Sequence, residues 1–219
     1  MLISINKFMT LKDLTKKIQR SVGSTADGIY GKNTAHAVID ALDNKTPVSK
    51  EKTATKKVDG NFEERIRPTP NKSSSKITPE GVVLHHSYGS YEGGVSWILN
   101  DTSNVSYHVL IDTDGKRTVF ADDNERAWHA GKSEFKGRGG CNGFMLGVAF
   151  TNDTNSRELT DEEVASAVEY MVPRFKKWGW PEDLSTISTH REVSPGRKTD
   201  PDIRAETKVL DALKAHFNK

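Results

Sequence analysis

The chain has 219 residues, 34% of them hydrophobic and 28% charged, with a net charge of +2 at neutral pH. That is apolar material for one ordinary core and one small one, and too weak a field to favour nucleic acid as a partner. A single cysteine, Cys141, excludes an intramolecular disulfide and a cysteine metal cluster. No apolar run approaches a membrane span or a signal h-region, so a chain made without an export signal and without stable membrane insertion is expected.

Residues 1–43 read as a small all-α domain. Thr10 can cap a helix whose residues Leu11, Leu14, Ile18 and Val22 fall on one face and which ends near Gly23. Ala26 to Gly31 is a glycine-punctuated turn, and Asn33 or Thr34 opens a second helix with Ala35, Val38, Ile39 and Leu42 inward. Residues 44–79 hold nine Lys or Arg against four Asp or Glu, so this stretch carries +5 and the remainder of the chain −3. Rich in Lys, Thr, Ser, Asn and Pro, it is expected to be a flexible basic linker, with Phe62 and Ile66 placed to dock as one short helical turn. Such charge suits a screened attraction to anionic lipid or wall polymer, although a solvated linker is the plainer reading.

Residues 80–219 alternate strand and helix signals. Val82 to His85 is a β-branched run bounded by Gly81. Gly93 to Leu99 is helical, with Trp97 and Ile98 as packing residues. Tyr107 to Ile111 and Arg117 to Phe120 form a hairpin about the Asp-Gly turn signal at Asp114-Gly115, and Phe144 to Phe150 is a further strand. Thr160 with Glu163 makes a capping box for a long helix, in which Pro173 should produce a kink or local break. Gly179 and Pro181 end it, and a last helix runs from Ile203 to Phe217. The alternation predicts an α/β fold with a central mixed sheet flanked by helices.

The densest chemistry lies between Thr189 and Pro201, which holds one imidazole, two guanidiniums, an ammonium and two carboxylates. Pro195-Gly196 is a turn signal and Pro201 keeps Asp200 out of helical geometry, so His190 and Asp200 can face each other across one loop. Imidazole and carboxylate are ordinary zinc ligands, and a catalytic zinc keeps three protein ligands. His85 closes a strand and is a candidate third, but it is 105 residues from His190, so no local spacing rule supports it. His86 and His108 alternate with His85 and Tyr107 and should face the other way, as structural hydrogen-bonding groups. His36 and His216 are expected to be exposed on helices, and Cys141, in a glycine-rich turn, is not a ligand.

Val83-Leu84-His85-His86-Ser87, Val105 to Ile111, Ala127-Trp128-His129-Ala130-Gly131 and His190 to Pro201 together resemble the zinc-dependent N-acetylmuramoyl-L-alanine amidase family, over roughly residues 80 to 217. Phage lysozyme-type amidases and peptidoglycan recognition proteins are similar chains. The resemblance implies His85, His190 and Asp200 as zinc ligands. It implies Lys198 and Tyr107 as the catalytic pair, stabilising the oxyanion and bonding the attacking water. It implies Trp128 and His129 as residues bordering the substrate groove, and by charge alone Arg191, Arg197 and Lys198 would suit the carboxylates of a peptide stem, with Arg197 a substrate-binding candidate. Many bacterial relatives carry a glutamate base in the strand matching Leu146 to Phe150; here that position is Ala149, and the phage type also lacks the glutamate and keeps the tyrosine. Asp27 to Thr34, followed by Ala37-Val38, resembles the small helical peptidoglycan-binding module. Together these imply a monomeric phage endolysin, held in the host cytoplasm until release and acting on bacterial peptidoglycan. The competing reading is a recognition protein without catalysis, some of which have lost a ligand; here all three positions are filled.

Overall fold

The computed structural model describes residues 62–218 and the backbone of a strand at Ala54–Lys56. The helical module expected over residues 1–43 lies outside the described residues. Strand β4 (Val82–Ser87) lies one strand in from an edge of the sheet: it pairs in parallel with β10 (Leu146–Thr151) on one side and with the edge strand β11 (Ile187–Thr189) on the other. Val82, Val83 and Leu84 are fully buried, as a parallel strand covered on both faces requires. Beyond β10 lie β5 (Val109–Ile111) and, antiparallel to it, β6 (Arg117–Val119), joined by the expected turn, where the Gly115 amide donates to the Asp112 carbonyl at 2.9 Å. Strands β2 (Glu64–Ile66) and β1 (Ala54–Lys56) complete a mixed sheet of order β1-β2-β6-β5-β10-β4-β11, and β8 (Glu134–Phe135) and β9 (Arg138–Gly139) pair as a separate short hairpin.

Composition misreads part of residues 44–79. Besides β1 and β2, β3 (Lys72–Lys76) is a strand, antiparallel to β7 (Glu125–Ala127), and Ile66 sits in β2 rather than in a helical turn. Thr69 and Asn71 anchor this stretch: the Thr69 hydroxyl donates to the Ile98 carbonyl at 2.6 Å, and Asn71 Nδ2 donates to the carbonyls of Ile98 and Asn100 at 2.9 and 2.7 Å. Those carbonyls end helix α1 (Tyr91–Leu99) and lack helical partners, so two buried polar side chains hold a segment whose hydrophobicity is low.

Strand alternation splits the core into two faces. Val82, Leu84, Val109, Ile111, Leu146, Val148 and Phe150 pack under helices α2 (Asp161–Trp178) and α4 (Ile203–Phe217), whereas Leu110 and Ala149 pack with Tyr91, Val95 and Ile98 of α1. Trp97, expected to pack beside Ile98, is instead 38% exposed. The Thr160–Glu163 capping box starts α2 as expected, and Pro173 lies inside one continuous helix rather than at a break. Among the described residues no helix is long and apolar enough to cross a membrane.

Candidate metal centre

The sheet brings the far-apart histidines together. His85 is the fourth residue of β4, and His190 directly follows β11, the adjacent strand, as the first residue of the short helix α3 (His190–Val193). Both stand at the carboxyl ends of parallel strands, where open α/β sheets place their sites. Thr189 caps α3 by accepting from the Glu192 amide, and the chain then returns so that the Arg191 amide donates to the Asp200 carbonyl at 2.7 Å. The two-armed loop read from Pro195-Gly196 is therefore present, with Gly196 at φ 74 and a cis Asp200–Pro201 bond.

The ligand-type atoms of His85, His190 and Asp200 lie within 4.8 Å of one another, and all three residues are buried. Asp200 Oδ2 is 3.1 Å from His190 Nδ1 and 3.5 Å from His85 Nδ1. The backbone amide of His86 also points to this oxygen, at 3.4 Å. Burial pushes the Asp200 carboxyl up, but its 3.1 Å contact with His190 and its charge interactions with His85 and His190 outweigh that and hold it well below the ordinary carboxylate range. Burial lowers His85 to about 4, against the opposing pull of Asp200. A neutral imidazole and an ionised carboxylate are the forms a metal ligand needs. His85 Nδ1 is buried with no hydrogen-bond partner among the described residues, an orphan that a cation between the three donors would satisfy. Two imidazoles and one carboxylate fit zinc with a position left open.

Around this cluster, the Tyr107 ring stands 5.1 Å from that of His85, centroid to centroid. Burial, with the Asp200 charge added, raises its phenol above the ordinary range, so the Tyr107 hydroxyl keeps its proton. Lys198 is half-buried on the ligand loop, and its charge opposes protonation of His85 and His86. Ala149 is fully buried opposite His85 in the parallel register, so the strand that would carry a glutamate base offers a methyl group. His86 faces the other way: its Nδ1 is 2.8 Å from the Thr154 hydroxyl and accepts from the Thr154 amide at 3.2 Å. His108 accepts from the Gly147 amide at 2.9 Å through Nδ1 and reaches the Glu125 carbonyl at 2.9 Å through Nε2.

The residues expected to bind substrate sit differently. His129 is only 6% exposed and its ring lies behind His85, between that ring and the Met145 carbonyl, so it is enclosed rather than open to a substrate. Arg197 spends its guanidinium on the chain itself: Nη2 donates to the carbonyls of Ala130 and Lys132 at 2.6 and 2.8 Å and to the Ser194 hydroxyl at 2.7 Å. Trp128 is half-buried, with its indole N–H on the Ser73 hydroxyl at 2.9 Å. Sequence reasoning missed Asn142, whose Oδ1 accepts from the amides of His129 and Ala130 at 3.1 and 2.7 Å; an asparagine in a glycine-rich turn was the available signal.

A mixed α/β domain with a buried His–His–Asp cluster at its strand ends has the donor set of a hydrolytic metal centre. The family model for N-acetylmuramoyl-L-alanine amidase matches residues 75–203, and the chain belongs to that family. Over 103 residues it is 35% identical to the 1,6-anhydro-N-acetylmuramyl-L-alanine amidase AmpD of Haemophilus influenzae, covering 44% of this chain and 52% of that protein. The AmpD of Escherichia coli is 32% identical over 100 residues, covering 44% of this chain and 51% of that protein, so the chain spans about half the length of these relatives. A crystal structure of a selenomethionine AmpD derivative superposes with a TM-score of 0.58 at 22% identity, covering 68% of this chain and 92% of that one. AmpDh3 of Pseudomonas aeruginosa, solved in complex with an anhydromuramic pentapeptide, gives 0.53 at 17% identity, covering 64% and 62%. At these identities the likeness is one of fold.

Proposed function

We propose that the protein hydrolyses the amide bond between N-acetylmuramic acid and the L-alanine of a peptidoglycan stem peptide. The observation that carries this is the convergence of one ligand-type atom each from His85, His190 and Asp200 within 4.8 Å in a chain of this family. These three residues would hold zinc, which when bound supplies Lewis acidity toward water and an amide carbonyl. Tyr107, protonated beside the cluster, donates a hydrogen bond to the attacking water or to the oxygen on which negative charge grows. Lys198, carried on the Asp200 loop, brings a positive charge to the same oxygen. With Ala149 in place of a carboxylate, the strand β10 supplies no base, and the hydrogen-bonding work falls to Tyr107 and Lys198.

The test is the appearance of new L-alanine N-termini from purified peptidoglycan, by the protein and by His190→Ala, each with chelator and with added zinc. Release that needs both metal and His190 supports the reading; wall binding without release replaces it with a recognition protein. The finer role proposed is that of a phage endolysin acting as a monomer on intact wall, which the paired modules read from the sequence favour. The names of the curated relatives favour a second role, on soluble 1,6-anhydromuropeptides. Rates on intact sacculi and on soluble anhydromuropeptide, compared for one preparation, separate the two.

A further inference from the structure

We propose that His129 is a positioning residue that fixes which nitrogen of His85 carries the proton, so that His85 meets the metal through a bare Nδ1. The inference rests on the metal-centre reading above. The Met145 carbonyl can only accept a hydrogen bond. His129 Nε2 lies 3.0 Å from that oxygen and therefore carries the ring's proton. In a neutral ring this leaves His129 Nδ1 as a lone pair, and His85 Nε2, 3.0 Å away, must be the N–H that donates to it. His85 Nδ1 is then unprotonated, and it is the atom found buried without a partner and aimed at Asp200.

His129 has no freedom to turn away. A Cβ on Gly147 would lie 2.6 Å from His129 Cγ, so the absence of a side chain at 147 is what seats the ring. The backbone on either side is pinned by the two amides that share Asn142 Oδ1. The next residue serves the other ligand: the Ala130 carbonyl is 3.2 Å from His190 Nε2. One dipeptide thus meets both histidines of the cluster from behind, by side chain at 129 and by carbonyl at 130. An outer partner that orients a ligand histidine is worth about 10- to 100-fold in metal affinity.

The test is zinc affinity by chelator competition for the wild type, His85→Ala, His129→Ala and His129→Asn, with ring nitrogen-15 NMR of the metal-free wild type. We expect His129→Ala to bind zinc about 10- to 100-fold more weakly, and His129→Asn, whose Oδ1 can accept in place of Nδ1, to recover most of the loss. The spectrum should show His85 protonated at Nε2. Zinc binding by His129→Ala equal to the wild type, or His85 protonated at Nδ1, overturns the proposal. If wild type and His85→Ala bind zinc equally, the metal-centre reading fails, and the nitrogen spectrum still decides the relay. That spectrum needs no variant, so a misfolded His129→Ala leaves the proposal decidable.

Discussion

Lys198 and Tyr107 are side chains near the cluster with a charge and a proton to offer and no metal to hold. Lys198→Ala should lower kcat about 100-fold, the usual effect of deleting one oxyanion partner, with zinc affinity unchanged. Tyr107→Phe should lower kcat by a similar order. Because burial raises this phenol, the wild-type activity should show no alkaline loss from Tyr107 below about pH 10. Both are checked by steady-state kinetics on a soluble muropeptide, and an unchanged kcat in either variant removes that residue from the chemistry. The three donor residues were legible through family motifs, not through spacing, since β4 and β11 are brought side by side only by the sheet. His129 was legible as a motif member and illegible in its place: nothing local says that Gly147, on another strand, makes room for its ring.

At the scale of elements, the sequence was most informative where one local signal acts alone. The Thr160–Glu163 box starts α2, and Ile203–Phe217 is the last helix, as periodicity and capping require. The Thr160 hydroxyl accepts from the Glu163 amide and donates to the Thr113 carbonyl at 2.7 Å. Thr160→Ala should therefore cost about 1 to 2 kcal/mol in urea unfolding, and no loss would show that neither bond contributes. The sequence was least informative across residues 62–76. There β2 is recruited by β6, and Thr69 and Asn71 are buried because α1 ends in carbonyls that need donors. A hydropathy pattern has no means of registering a polar residue whose partner is a helix end 27 or 29 residues away.

For the whole molecule, the buried histidines tie stability to pH. His108 is lowered to about 4 by burial, whereas in the unfolded chain it titrates near 6.5. Above pH 6.5 both states are neutral and the group contributes no pH dependence. Below it the unfolded chain gains a proton that the folded one refuses, so stability falls as pH drops from 6.5 to about 4, by about 3 kcal/mol for this residue. Urea midpoints of the metal-free protein across that range should decline, and more shallowly in His108→Gln; a flat wild-type profile would contradict the assignment.

The donor cluster also divides unequally between parts of the fold. His85 belongs to a strand flanked on both sides, while Asp200 is carried by the loop that Gly196 turns. Local opening is cheapest where backbone pairing is sparse, so the cluster has a hinged side and a fixed side. A bound ion would then leave by the Asp200 side, at a rate set by how often that loop lifts. Amide hydrogen exchange should show it: Arg191, bonded to the Asp200 carbonyl, exchanges faster than Leu84 in the metal-free protein and slows when zinc is added, while Leu84 is unmoved.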